Sequence, residues 1–156
     1  MRATLLACLT ALLLTGCTKE PLPQAAEGFS AIPEANGKWL FINYWAIWCT
    51  PCREEIPELN EFATEYAEEL TVYGVNYDAP PPAEHIQQAQ ELGISFELLS
   101  VDPAASLSYA RPTVLPTTMV ISPAGVIWAR LLGPQTRDSL HAAMQAPAQK
   151  LAPPVH

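Results

Sequence analysis

The chain has 156 residues, 49% of them hydrophobic and 15% charged, with a formal net charge of −8 at pH 7. That length and composition support one domain with a packed core and exclude disorder throughout. The acidic balance excludes nucleic acid as a partner, because such binding runs on Lys and Arg contacts to phosphate; it fits a solvated surface.

Arg2 is the only charged side chain ahead of an apolar run from Ala3 to Leu14. The run is too short to span a bilayer comfortably and suits a secretory signal. It ends in Leu14-Thr15-Gly16-Cys17, which resembles the bacterial lipoprotein signal-peptide box. That resemblance implies a signal peptide over 1–16 and lipid on the sulfur and amino group of Cys17. An ordinary signal peptide or a buried N-terminal helix is the other reading. Lipidation implies the bacterial cell envelope, with the protein on the periplasmic side and acyl chains anchoring it to a membrane. Residues 17–36, with Pro21, Pro23 and Pro33, read as the lipidated cysteine and a tether.

Asn36-Gly37 marks a turn into a domain over 37–146. Its first strand is predicted at Trp39 to Trp45. A helix runs from Cys49 to about Glu69, kinked at Pro57. Leu70 to Asn76 is a second strand, rich in β-branched and aromatic residues. After a proline-rich loop comes a polar helix, Ala83 to Leu92, stopped by Gly93. Phe96 to Val101 is a short strand and Pro103 to Tyr109 a short helix. Strands from Thr117 to Ser122 and from Val126 to Leu132 form a hairpin across a Ser-Pro-Ala-Gly type I turn. A last helix covers about Thr136 to Met144, and 147–156 is a tail contributing little. This order predicts an α/β domain, a mixed central sheet with helices on both faces.

The chemistry gathers where the first strand turns into the first helix, at Trp48-Cys49-Thr50-Pro51-Cys52. Two cysteines at this spacing can cycle between dithiol and disulfide. A thiolate at a helix N-terminus is stabilised by free backbone N–H groups and the macrodipole. Pro51 fixes φ in the first helical turn, where its missing N–H is not needed. Cys-x-x-Cys is also half of a zinc site, but two further ligands are required, and His85, His141 and His156 are scattered, so no metal is expected. Cys8 leaves with the leader and Cys17 takes lipid, which leaves Cys49 and Cys52 as the free pair. In an oxidising compartment so short a clip is a poor structural staple and suits exchange.

At 100° per residue Glu55 shares a stripe with Cys52, Leu59, Phe62 and Tyr66, while Glu54, Glu58, Glu61, Glu65 and Glu68 fall opposite. A carboxyl on that apolar stripe has its pKa raised by desolvation and can exchange a proton with the Cys52 thiol. If Pro57 rotates the stripe, Glu55 is instead a wet surface residue. Trp45 reads as core, Trp48 as apolar surface beside the cysteines, and Trp39 and Trp128 as packing.

Over about 37–145 the chain resembles the thioredoxins, and more closely the membrane-tethered TlpA/ResA-like thiol–disulfide oxidoreductases of bacteria. The matching residues run from Asn43-Tyr44-Trp45-Ala46 through Trp48-Cys49 and Pro51-Cys52-Arg53-Glu54-Glu55 to Pro57 and Leu59. Tyr73-Gly74-Val75-Asn76 and Leu115-Pro116-Thr117-Thr118 follow. The resemblance implies a thioredoxin-like fold with an insertion between the second core strand and the following helix. It implies Cys49 as nucleophile, Cys52 as resolving cysteine, Glu55 as the family glutamate and Pro116 as a cis proline beside them. Asn43 stands where thioredoxins have a buried Asp. Trp48, Thr50, Pro51 and Leu115 are the expected substrate contacts, with the Leu115 backbone pairing a substrate strand. The expected activity is protein-disulfide reduction with no cofactor beyond the Cys49–Cys52 disulfide, fed by a membrane electron donor of the thiol-transferring type. Protein disulfides and dithiols are the expected substrates, cytochrome c maturation one setting for them, and a monomer the expected state. The rival readings are a periplasmic oxidant or isomerase, and a copper-binding or copper-delivery lipoprotein on the same fold. Arg111-Pro112-Thr113-Val114 departs from the small residues usual before the cis proline, which leaves substrate preference open.

Overall fold

The computed structural model describes Ser30 and residues 33–149. The leader, Cys8, Cys17, most of the tether and the end of the tail lie outside the described residues. Five strands form one mixed sheet in the order β3-β2-β1-β4-β5. β1 (Trp39–Trp45) sits at its centre, parallel to β2 (Leu70–Asn76) and antiparallel to β4 (Thr117–Ile121). β3 (Glu97–Leu99) adds to β2 in parallel, and β5 (Ile127–Leu132) pairs antiparallel with β4.

A central strand is covered on both faces, so β1 reads as a nearly continuous apolar run. Alternate side chains serve different layers. Phe41 packs with Leu59 and Phe62 of α1 (Thr50–Glu65) and with Leu140, Ala143 and Met144 of α3 (Arg137–Gln145). Trp45 packs with Cys52 and Ile56 of α1 and with Ala89 and Leu92 of α2 (Pro82–Leu92). On the opposite face Leu40, Ile42 and Tyr44 meet Ala104 and Tyr109. Gly74 lies in register with Asn43, and a Cβ there would stand 2.9 Å from the Phe96 ring and 3.0 Å from the Trp45 indole nitrogen. Glycine at that position is what lets both aromatics close over the strand.

The expected helix at Pro103 to Tyr109 is a hydrogen-bonded turn, so the three helices named above all pack on the face of Phe41 and Trp45. Leu107 N–H reaches Pro103 O at 2.9 Å, but Ser108 adopts a left-handed φ of 58° that no right-handed helix can continue. Between β2 and this turn the chain inserts α2 and β3. β3 is shorter than Phe96 to Val101 because only Glu97 to Leu99 find partners on β2. α1 ends at Glu65, not Glu69: its cap Tyr66 leaves helical geometry, and Glu69 and Leu70 N–H both turn back to Tyr66 O, aiming the chain into β2. The helix runs on through Pro57. α2 stops at Gly93, whose φ of 72° gives the left-handed cap. The hairpin turn closes through Gly125 N–H to Ser122 O at 2.8 Å, with Gly125 at φ 76°.

Both sheet edges are partnered by chain from outside the elements. Ser30, in the stretch read as tether, bridges to Leu99: its N–H donates to Leu98 O at 2.7 Å and its hydroxyl to Glu97. Gln149, in the stretch read as tail, donates its N–H to Trp128 O at 2.7 Å and accepts Arg130 N–H on its side chain at 3.0 Å. Edge strands carry unpaired N–H and C=O groups, which is why these segments settle there. Trp39 and Trp128 meet edge to face at 5.3 Å, as packing. Among the described residues no helix is long and apolar enough to cross a membrane.

Candidate redox-active site

Cys49 and Cys52 form a disulfide at the N-terminus of α1. Cys49 is the N-cap, and its Sγ accepts the Cys52 N–H at 3.3 Å. A backbone donor aimed at the first sulfur, on top of the helix dipole, favours that sulfur as a thiolate once the bond opens. Pro51 lies in the first turn as expected. Cys52 is fully buried and Cys49 is only 4% exposed, a narrower opening than its place at the helix start implied. Trp48, 63% exposed, stands beside it and is fixed by an indole N–H bond to Asp78 Oδ2 at 2.7 Å. Asp78 was not foreseen from sequence, since no spacing rule links it to Trp48.

The Leu115–Pro116 peptide is cis. Leu115 packs against the cluster that holds both cysteines, so the structure brings the proline loop and the disulfide together. The residues before it are pinned by Arg111. Its guanidinium donates to Asp102 at 2.7 Å and to Tyr77 O at 2.5 Å, and lies 3.9 Å from the centre of the Tyr77 ring. Asp102 also accepts the Tyr44 hydroxyl at 2.6 Å, and burial holds the Tyr44 phenol well above the usual tyrosine range.

Glu55 is 2% exposed, on the same stripe as Cys52, Leu59 and Phe62. Pro57 does not rotate it into solvent. Its Oε1 accepts Asn43 Nδ2 at 2.7 Å and its Oε2 accepts the Gln135 N–H at 2.9 Å. Burial pushes the Glu55 carboxyl up to about 7, against the pull of those two donors. Asn43 stands on β1 opposite Thr118 of β4, and its amide also reaches Thr118 Oγ1 at 3.0 Å. The segment between β5 and α3 serves two parts of the site at once: Gly133 N–H donates to Pro116 O at 3.0 Å, two residues before the Gln135 donor to Glu55. These backbone donors left no trace in residue type. Among the described residues no group of three or more His, Cys, Asp and Glu side chains gathers as a metal set.

The family model described as AhpC/TSA matches residues 22–130. The chain is 34% identical over 121 residues to the thiol:disulfide interchange protein HelX of Rhodobacter capsulatus, covering 76% of this chain and 65% of that one. It is 26% identical over 111 residues to the thiol-disulfide oxidoreductase ResA of Bacillus subtilis, covering 70% and 62%. The chain thus spans about two thirds or less of the length of the curated relatives it matches. A crystal structure of a DsbF homologue from Corynebacterium diphtheriae superposes with a TM-score of 0.62 at 24% identity, covering 74% of this chain and 76% of that one. The fold is thioredoxin-like, with the cysteine pair at the strand-to-helix turn. With the matched residues covering most of the sheet and the whole Cys49–Cys52 region, the chain belongs to the AhpC/TSA family.

Proposed function

We propose that the protein is a thiol–disulfide oxidoreductase that reduces protein disulfides outside the cytoplasm, held to a membrane by lipid on Cys17. The observation that carries this reading is the Cys49–Cys52 pair at the start of α1, with Cys49 Sγ on a backbone donor and Glu55 buried below. The names of the relatives support the reaction class, and the Leu14 to Cys17 box supports the anchor.

In the forward reaction the Cys49 thiolate attacks one sulfur of a substrate disulfide. The Cys49–substrate bond forms, the substrate disulfide breaks, and the departing substrate thiolate takes a proton. Cys52 gives its thiol proton to Glu55, and the new thiolate attacks Cys49. The Cys49–Cys52 bond forms, the mixed disulfide breaks, and the second substrate sulfur leaves as a thiolate. The substrate has gained two electrons and the pair has lost them; a membrane thiol-transferring donor restores the dithiol. Trp48, Thr50, Pro51 and the Leu115–Pro116 backbone form the docking rim. Haem-site disulfides of apocytochrome c, the substrates of some relatives, are one candidate within the class of protein disulfides.

The direction follows from the residues around the sulfurs. Thr50-Pro51 supplies no histidine to hold the thiolate, and Glu54 and Glu55 oppose further negative charge. We expect a reduction potential below about −180 mV, on the reducing side of the isomerases. In an insulin-reduction assay on the full-length protein, Cys49→Ser abolishes turnover, and Cys52→Ser accumulates a mixed disulfide visible by mass. A potential above about −180 mV gives the reaction to the oxidant or isomerase reading.

A further inference from the structure

Two loops meet at the disulfide. One carries Trp48, exposed and bonded to Asp78; the other runs through Leu115–Pro116. Loops are the mobile parts of a fold, and a partner docking on them has to order whatever is loose. Here both loops are tied to the segment that follows β2. Its Tyr77 packs, as Leu115 does, against the cluster that holds both cysteines. Tyr77 N–H donates to Trp45 O at 2.8 Å, and Asp78 N–H to Asn76 Oδ1 at 3.0 Å. Asn76 is itself buried, and its amide donates to Gln88 of α2 at 2.8 Å. The carboxylate that holds the Trp48 indole therefore stands on fixed backbone.

Arg111 joins this segment to the second loop. Its Nη2 donates to Tyr77 O at 2.5 Å, and its guanidinium carbon lies 3.9 Å from the centre of the Tyr77 ring. Its Nε donates to Asp102 Oδ2 at 2.7 Å. The other oxygen of Asp102 accepts the hydroxyl of buried Tyr44, on β1, at 2.6 Å and the Ala104 N–H at 2.9 Å. The backbone beside Arg111 is held as well: Ala110 O accepts Arg130 Nη2 of β5 at 3.1 Å, and Pro112 disfavours helical geometry at Arg111. From there the chain reaches Val114, whose carbonyl accepts the Thr117 hydroxyl at 2.8 Å, and then Leu115–Pro116. A planar fork suits this place. A lysine ammonium keeps the charge beside Asp102 but does not stack on Tyr77 and bridge to its carbonyl in the same geometry.

We propose that Arg111 is a positioning residue, a brace that holds the Trp48 loop and the Leu115–Pro116 loop in one arrangement on which a protein substrate docks. It acts on the first loop through Tyr77 and Asp78 and on the second through its own backbone. This role rests on the reading of the site as one that reduces protein disulfides. It gives Arg111 a task at the place where the sequence departs from the small residues usual before the cis proline.

The test takes the full-length protein with Arg111→Lys and Arg111→Gln through two measurements. The first is solvent exchange of the indole N–H protons, read by NMR on the oxidised protein without substrate. Trp48 is bonded to Asp78, whereas the Trp128 indole is bonded to Ala143 O and Ala146 O around the end of α3, so Trp128 reports general loosening. We expect Trp48 exchange to quicken about threefold or more in both variants, with Trp128 unchanged. The second is insulin reduction. There KM should rise about three- to tenfold, the range set by having to order one or two side chains on docking, while kcat stays within about twofold. A lysine variant that matches wild type in both measurements shows that charge alone suffices, toward Asp102 or toward a substrate, and overturns the brace. Trp48 exchange that is unmoved, or that quickens only together with Trp128, overturns it too, as does a fall in kcat at constant KM. A wild-type chain that reduces no insulin strikes the proposed function and leaves the indole exchange to decide the brace.

Discussion

Glu55 and His85 are both buried, and burial moves them in opposite directions. It raises Glu55 from 4.5 to about 7 and lowers His85 from 6.5 to about 4. Between pH 4.5 and about 7 the folded chain holds a proton on Glu55 that the unfolded chain releases, so this residue makes stability fall as pH rises. His85 has the reverse sign: from 6.5 down to about 4 the unfolded chain takes a proton the folded chain refuses, so stability is lost as pH falls. The two slopes oppose each other, and we expect a shallow stability profile for the wild-type chain across the shared range. Glu55→Gln removes one slope and exposes the other. The unfolding free energy of that variant, from urea titrations, should then climb with pH toward neutrality, by on the order of 3 kcal/mol from His85. A flat profile in the variant would show that His85 is not held neutral. Single side chains of this kind were partly legible: the 100° spacing put Glu55 on the buried stripe, whereas nothing local to His85 distinguished it from a surface histidine on a polar helix.

At the level of elements, α1 carries the chemistry and α3 holds it in place. Leu59 is fully buried in the cluster that holds Phe41 and Phe62, so Leu59→Ala should cost about 2–5 kcal/mol in denaturant unfolding, with little change in the spectrum of the folded state. α3 begins with a capping box, in which Thr136 accepts the Ser139 N–H and Ser139 accepts the Thr136 N–H. Thr136→Ala should cost about 1 kcal/mol. Because Thr136 follows the Gln135 donor directly, the same variant should also move the Glu55 midpoint, measured by the pH dependence of insulin reduction. The strands and α1 were legible because each has a period that local residues set. The stretch at Pro103 to Tyr109 was not. Its small residues and leucine fit a helix, and the left-handed Ser108 answers to tertiary contacts of Leu107 and Tyr109 on the sheet.

For the whole molecule, a mixed α/β layering followed from the order of the predicted elements, and the meeting of Cys49, Cys52 and the proline loop was what the family resemblance implied; the strand order came only with the structure. What did not follow were the long-range backbone partners. Ser30 at one sheet edge, Gln149 at the other, and Gly133 and Gln135 beneath the site are chosen by where the chain passes, and any residue with an N–H would have read the same. That last pair has a bearing on how the protein can vary. The link between β5 and α3 grips Pro116 and Glu55 with donors two residues apart, so lengthening it by even one position would disturb docking and proton handling in a single stroke. New substrate preferences then fall to the stretch from Arg111 to Val114, next to Leu115, which packs against the cysteine cluster.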